Sequence, residues 1–182
     1  MKQNLLIAFS ISCTLFGTAY ANPASQAVVR LANSSLKDLG HDSVVLSAVK
    51  EANSKGVTLK QIQTIDKEWI AAKKAGKKLP IMQSMLTNSC AKHLTQIMAK
   101  HAYITEIFVT DNQGANVCQT GMTGDYWQGD EAKFIKVFNK GVLVSDVEKD
   151  DGINVSQVSV PVSEGKKHIG TMTIGVNVDK VN

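Results

Sequence analysis

The feature that most constrains this chain is a change in the spacing of its apolar residues just after His101. Upstream they recur every three or four positions: Leu59, Ile62, Ile65 and Trp69 form one helical stripe, and Cys90, Leu94, Ile97 and His101 another. From Ile104 onward the period falls to two, the spacing of half-buried strands. A chain divided in this way is α+β, with helices ahead of an antiparallel sheet. Composition agrees, since 43% hydrophobic and 20% charged residues in 182 suit one globular domain and exclude a disordered chain or a membrane bundle.

Local signals place the elements. Asp42 caps a helix through Val44, Val45, Ala48 and Val49, and Thr58 with Gln61 forms a capping box that opens the next, closed by Gly76. Pro80 starts a short helix through Met85, and Asn88 or Ser89 caps the helix of Cys90. In the second half, Ile104 to Thr110 and Ala115 to Thr120 read as a hairpin around Asp111-Asn112-Gln113-Gly114. A short helix capped by Asp130 follows, and then strands at Val142 to Glu148, Asn154 to Val162 and His168 to Val178. In the last of these His168, Gly170, Met172, Ile174, Val176 and Val178 are expected to face the core, opposite Ile169, Thr171, Thr173 and Asn177. The expected architecture is therefore N-terminal helices over 22–103, followed by a five-stranded antiparallel sheet over 104–182.

Residues 1–21 read as a secretory signal: Lys2, an apolar run from Leu5 to Phe16, and the small-x-small site Ala19-Tyr20-Ala21. The run is too short to span a bilayer. The mature chain from Asn22 is expected to be free in the periplasm, with no membrane insertion of its own. Its balance of charge is bland, and the lysines at 73, 74, 77 and 78 read as a helix C-terminus rather than a nucleic-acid patch. Cys90 and Cys118 survive processing, and an even count in an oxidising compartment permits one bridge; a buried free thiol explains Cys90 equally well.

Catalytic and cofactor motifs are missing: there is no nucleophile elbow, zinc-protease helix, Cys-x-x-Cys, or phosphate- or dinucleotide-binding glycine pattern. A hydrolase built on Ser145 and His168 would need the two within hydrogen-bond reach. His93 and His101 are more than two helical turns apart, too far for one metal. The segment Asp146 to Asp151 places its glycine wrongly for a calcium loop and reads as an acidic hairpin turn. The chain is accordingly read as a non-enzyme with no cofactor or metal.

The densest feature is Thr123 to Phe134, where Tyr126 and Trp127 stand side by side between Gly124 and Gly129. Such a pair either walls a small-molecule pocket or plugs the open face of the sheet.

Ile104 to Asp111 with Gly114, then Asp125-Tyr126-Trp127-Gln128-Gly129-Asp130-Glu131, then Val158 to Val162 and Ile169-Gly170 through Gly175-Val176, together resemble a Cache domain. This is the PAS-like extracytoplasmic sensor family, also called PDC. The resemblance implies a small ligand, an organic acid, amine or amino acid, held between the sheet and the loops over it. It also implies an output that passes through a membrane partner. Unlike receptors of the family, the chain is expected to act without a following membrane helix or output module of its own, and its sole arginine, Arg30, lies in the N-terminal helix. On this reading Tyr126 and Trp127 wall the pocket, Gln128 and Lys133 make polar contacts, Asp146 meets a cationic group, and the 121–138 segment closes over the ligand. The rival reading is an accessory subunit with a filled interior, which docks on a membrane receptor or pairs with a second copy through an apolar patch on 23–56.

Overall fold

The computed structural model describes residues 24–181; the expected export signal over 1–21 lies outside them. Helix α1 (Gln26–Leu31) is followed by a segment kinked at Ser34 and a single turn over Leu39–His41. Helix α2 (Ser43–Ser54) starts where the sequence places its cap: Asp42 Oδ1 accepts from the amides of Val44 and Val45 at 2.9 and 3.1 Å. Helix α3 (Leu59–Lys74) opens on the capping box, with the Thr58 amide donating to Gln61 Oε1 at 2.9 Å. Helix α4 (Pro80–Thr87) begins on its proline. In α5 (Ser89–Lys100) Asn88 Oδ1 accepts from the Ala91 amide at 2.8 Å. Each cap satisfies an amide that the helix itself leaves orphaned.

The sheet comprises β1 (Ile104–Thr110), β2 (Asn116–Gln119), β3 (Leu143–Val144), β4 (Glu148–Asp150), β5 (Ile153–Glu164) and β6 (Lys167–Asn177). Its order is β2-β1-β6-β5-β3 with β4 also on β5, and every pairing is antiparallel. The strand expected over Val142 to Glu148 is thus two short pieces along one edge. The break has a local cause: Ser145 Oγ accepts the Gln157 amide and donates to the Asp146 carbonyl, replacing ladder bonds with side-chain bonds.

Both faces of the sheet are covered. Ile107 and Val109 on β1, Val158, Val160 and Val162 on β5, and Met172, Ile174 and Val176 on β6 meet Val45 and Val49 of α2 and Leu94 of α5 in one aliphatic core. Val28, Ala32 and Leu36 of the N-terminal segment fill the same core. On the opposite face Thr171 and Thr173 are 2% and 1% exposed. This face is covered by α6 (Ala132–Lys140), which buries Phe134 and Val137 and packs on β5 and β6. His168 belongs with this cover: its ring meets Phe138 of α6, and its Nδ1 lies 2.7 Å from the Phe138 carbonyl. The N-cap position of α6 is Glu131 with no side-chain bond, and Asp130, the expected cap, is exposed one residue earlier.

Cys90 and Cys118 form a disulfide, S–S 2.03 Å, that ties α5 to β2 across 28 residues. A loop of that length is worth about 3–4 kcal/mol on the chain-entropy model.

Candidate functional site

The aromatic segment forms an extra edge on the β1–β2 hairpin. The Gln128 amide donates to the Gly114 carbonyl at 2.8 Å, and the Asn116 amide to the Tyr126 carbonyl at 3.0 Å. Gly114 has φ 86°, and a Cβ there would lie 2.4 Å from Gly129 Cα, so a glycine turn is what lets the two backbones touch. Asp66 of α3 fastens the segment from the other side, its Oδ1 accepting from the amides of Tyr126 and Trp127 at 2.9 and 3.0 Å. Trp69 packs on Tyr126 with ring centroids 5.8 Å apart, and Lys73 Nζ donates to the Thr123 carbonyl at 2.9 Å. The lysines of this helix end therefore include one that holds a loop.

Cavities of ligand size lie on both sides of the sheet. One, about 520 Å³, lies between the N-terminal half of α6 and the polar face of β1 and β5, with β3 and β4 along its side. Its floor carries Glu106, Gln157 and Ser159. Glu106 is half-buried, and its Oε1 accepts from Gln157 Nε2 at 3.1 Å. Beside it on β6 is Gly175, where a Cβ would come within 2.7 Å of Glu106 Cγ and 2.5 Å of Thr105 Oγ1. The missing side chain is what lets Glu106 lie across the sheet. Ser159 and Thr173 exchange a buried hydroxyl bond of 2.9 Å alongside. From above, Lys133 places its Nζ 5.4 Å from the centre of the Phe108 ring, a cation–π contact that holds the ammonium at the cavity.

The second cavity, about 460 Å³, lies on the helical side between α2, α3, α4, α5 and the start of β2. Tyr126 lines it, as do Asp111 and Asn116.

The five residues picked from the sequence are therefore divided. Lys133 is at the α6 cavity and Tyr126 at the helical one. Trp127 and Gln128 line neither; Trp127 Nε1 donates to the Gln113 carbonyl at 2.8 Å, and Gln128, 2% exposed, bonds to Asp125. Asp146 is exposed, although its neighbours Ser145 and Glu148 line the α6 cavity. Residues that sequence reasoning passed over are Glu106, Gln157 and Asp66. Glu106 did leave a signal, being a carboxylate inside an apolar strand and out of phase with Ile107 and Val109.

Burial raises the Asp125 carboxyl above its ordinary value, helped by the charge of Asp66. Burial also raises Asp111, against the amides bonded to it, and pushes the Tyr126 phenol up to about 12, with the Asp111 charge adding to it. Asp42 moves the other way: burial raises it, but the hydrogen bond from His93 and those from the Val45 and Val44 amides outweigh that and lower it. The hydrogen bonds of Ser145 and His168 go to Asp146, Gln157 and Phe138 rather than to each other. Among the described residues no group of three or more His, Cys, Asp or Glu is placed to hold a metal, and no helix is long and apolar enough to cross a membrane.

No protein-family model matches the chain, and no curated protein matches it. Among solved structures it is similar to the sensor domain of the Vibrio cholerae histidine kinase DctB, with 10% identity and TM-score 0.48 over 85% of this chain and 51% of that one. It is also similar to the ligand-binding domain of the Campylobacter jejuni chemoreceptor Tlp3, solved with 4-methylisoleucine: 13% identity, TM-score 0.41, 86% of this chain and 62% of that one. A third is the E. coli DcuS sensor domain: 15% identity, TM-score 0.40, 77% of this chain and 96% of that one. These neighbours are sensor or ligand-binding domains. The chain thus spans about half the length of the DctB domain, and the likeness is one of fold.

Proposed function

We propose that this chain is a non-enzymatic sensor module, exported through residues 1–21 and acting as the single domain 22–182, that binds a small polar metabolite beneath α6. The observation that carries the reading is Glu106, a carboxylate laid across the middle of a sheet beside Gly175 and facing a cavity of about 520 Å³. That volume suits a metabolite. A half-buried carboxylate bonded only to a neutral amide is stabilised further by a cation, so Glu106 takes the ligand's ammonium group.

The lining sharpens the class. Glu106, Glu131, Glu148 and Asp150 face Lys133 and Lys149, an excess of negative charge that favours an amine or an amino acid over an organic diacid. Lys133 takes the carboxylate where the ligand has one. Asp146, exposed nearby, adds to the field that draws a cation in, while Trp127 and Gln128 support the hairpin from which β1 extends. A ligand bridging Glu106 on the sheet and Lys133 on α6 favours the position of α6 in which both reach it, and a membrane partner touching α6 reads that shift.

The accessory-subunit reading needs an apolar patch over 23–56, but Val28, Ala32, Leu36, Val45 and Val49 of that stretch are turned into the core. A thermal-shift screen of amines, amino acids and organic acids tests the proposal. A ligand at about a hundredfold excess over its Kd adds about 2.7 kcal/mol. At least one amine or amino acid is expected to raise Tm in the wild type and not in Glu106→Gln; a screen without any hit removes the reading.

A further inference from the structure

The helical-side cavity is built independently of the one under α6, and its wall has a chemical bias. Asp111, at the end of β1, is 7% exposed and lines it. One carboxylate oxygen accepts from the amides of Gln113 and Ala115 at 2.8 and 2.9 Å, yet among the described residues no cation pairs with it. A buried charge satisfied only by neutral amides is costly, and the cost persists in the ligand-free protein. Lys55, the lysine on the lining, is paired at 3.0 Å with Glu51, which lines the cavity too.

A second unsatisfied acceptor lies behind the same wall, closed off from the cavity itself. Asn116 is 2% exposed; its Nδ2 donates to Thr123 Oγ1 at 2.8 Å and to the Asp125 carbonyl at 3.2 Å. Its Oδ1 has no partner, the one buried side-chain nitrogen or oxygen in that condition among the described residues. Tyr126 borders the cavity as well, and Val57, Ile65, Ile81 and Met85, contributed by α3, α4 and the turn before them, give it apolar wall beside the polar Ser84, Asn88 and Ser89. A buried carboxylate and aliphatic side chains in one lining match a primary ammonium group on an apolar body.

We infer that this cavity is a second ligand site, for a small primary amine with an aliphatic or aromatic body, its ammonium group on Asp111 and its body against Ile65, Ile81 and Met85. The site is separated from the α6 cavity by the sheet, so occupancy of either is read without the other. The β1–β2 turn, the aromatic segment and the disulfide-linked α5 all border it, which gives an amine bound there a direct hold on the edge of the sheet.

The test uses the intact mature protein, labelled at Met and Leu methyls, titrated with 3-methylbutan-1-amine and with its neutral counterpart 3-methylbutan-1-ol. Saturable shifts of the Met85 methyl with the amine, at least about tenfold tighter than with the alcohol, are expected. Asp111→Asn keeps an acceptor for the turn amides and is expected to weaken the amine about tenfold or more without changing the alcohol. Ser84→Trp, at an exposed position on the rim, is expected to block both. Amine and alcohol binding alike, an unchanged affinity in Asp111→Asn, or shifts confined to Leu143 in the α6 cavity would each overturn the inference. The last of these leaves the α6 reading standing, whereas Met85 shifts in a protein whose α6 cavity takes nothing have the opposite meaning.

Discussion

The two faces of the sheet are built to different rules from the same strands. The face under α2 and α5 is an aliphatic block in which Met172, Ile174, Val158, Val160 and Val109 are all fully buried. The face under α6 repeats the same register with Thr171, Thr173, Ser159, Gln157 and Glu106. A sheet that needed only stability would bury aliphatic residues on both sides, since hydroxyls and a carboxylate gain little from burial that water did not already give. One face therefore supplies the stability that lets the other hold polar groups around a hollow, the usual division between packing and a binding site.

The comparison can be broken by substitutions across it. Ile174→Ala, on the packed face, is expected to cost about 3–5 kcal/mol in denaturant unfolding, because a central strand pinned between two neighbours cannot collapse onto the space. Thr173→Val and Ser159→Ala made together, next to it on the other face, remove both partners of the buried hydroxyl bond and are expected to change stability by less than about 1 kcal/mol. Equal losses would mean that both faces are cores. Replacing Cys90 and Cys118 together by Ala is expected to cost about 3 kcal/mol, measured the same way, by freeing the packed side. Asp66→Ala removes the acceptor of two amides and is expected to cost about 2 kcal/mol, with the Trp69 fluorescence changed as the aromatic segment loosens.

The smallest effects are in pH. Burial raises Asp111, so its ionised form is disfavoured in the folded state and costs stability as pH rises through the raised value. Asp111→Asn is expected to melt slightly higher than the wild type at neutral pH, with the gain disappearing as acid protonates the wild-type carboxyl. Asp42 has the opposite sign: its lowered value contributes stability above the ordinary carboxylate range, lost as pH falls through the folded value. Asp42→Ala should accordingly cost about 1 kcal/mol at neutral pH and progressively less in acid, followed by Tm against pH.

The helix starts were legible because capping is local: Asp42, Thr58, Pro80 and Asn88 each act within three residues of themselves. The hairpin and the long strands were legible for the same reason, through alternation and turn residues. What alternation could not say is which residues of a covering segment lie opposite a strand, and so it did not place Phe134 and Val137 of α6 on the polar face of β5 and β6. The site was legible only in part. Lys133 and Tyr126 line cavities, but on opposite sides of the sheet, and the bonds that decide this connect Asp66 to Trp127 and Glu106 to Gln157, 61 and 51 residues apart. Gly175 was the overlooked clue, since an isolated glycine within a strand pattern marks a close approach, here that of Glu106.

The measurement that bears most directly on the account is a crystal structure of the protein with a hit from the amine and amino-acid screen whose Tm shift is lost in Glu106→Gln. The account predicts electron density beneath α6, with the ligand's ammonium group within hydrogen-bond distance of Glu106 and its other end toward Lys133. Density elsewhere, with the space over Glu106 filled by water or by side chains, would contradict it.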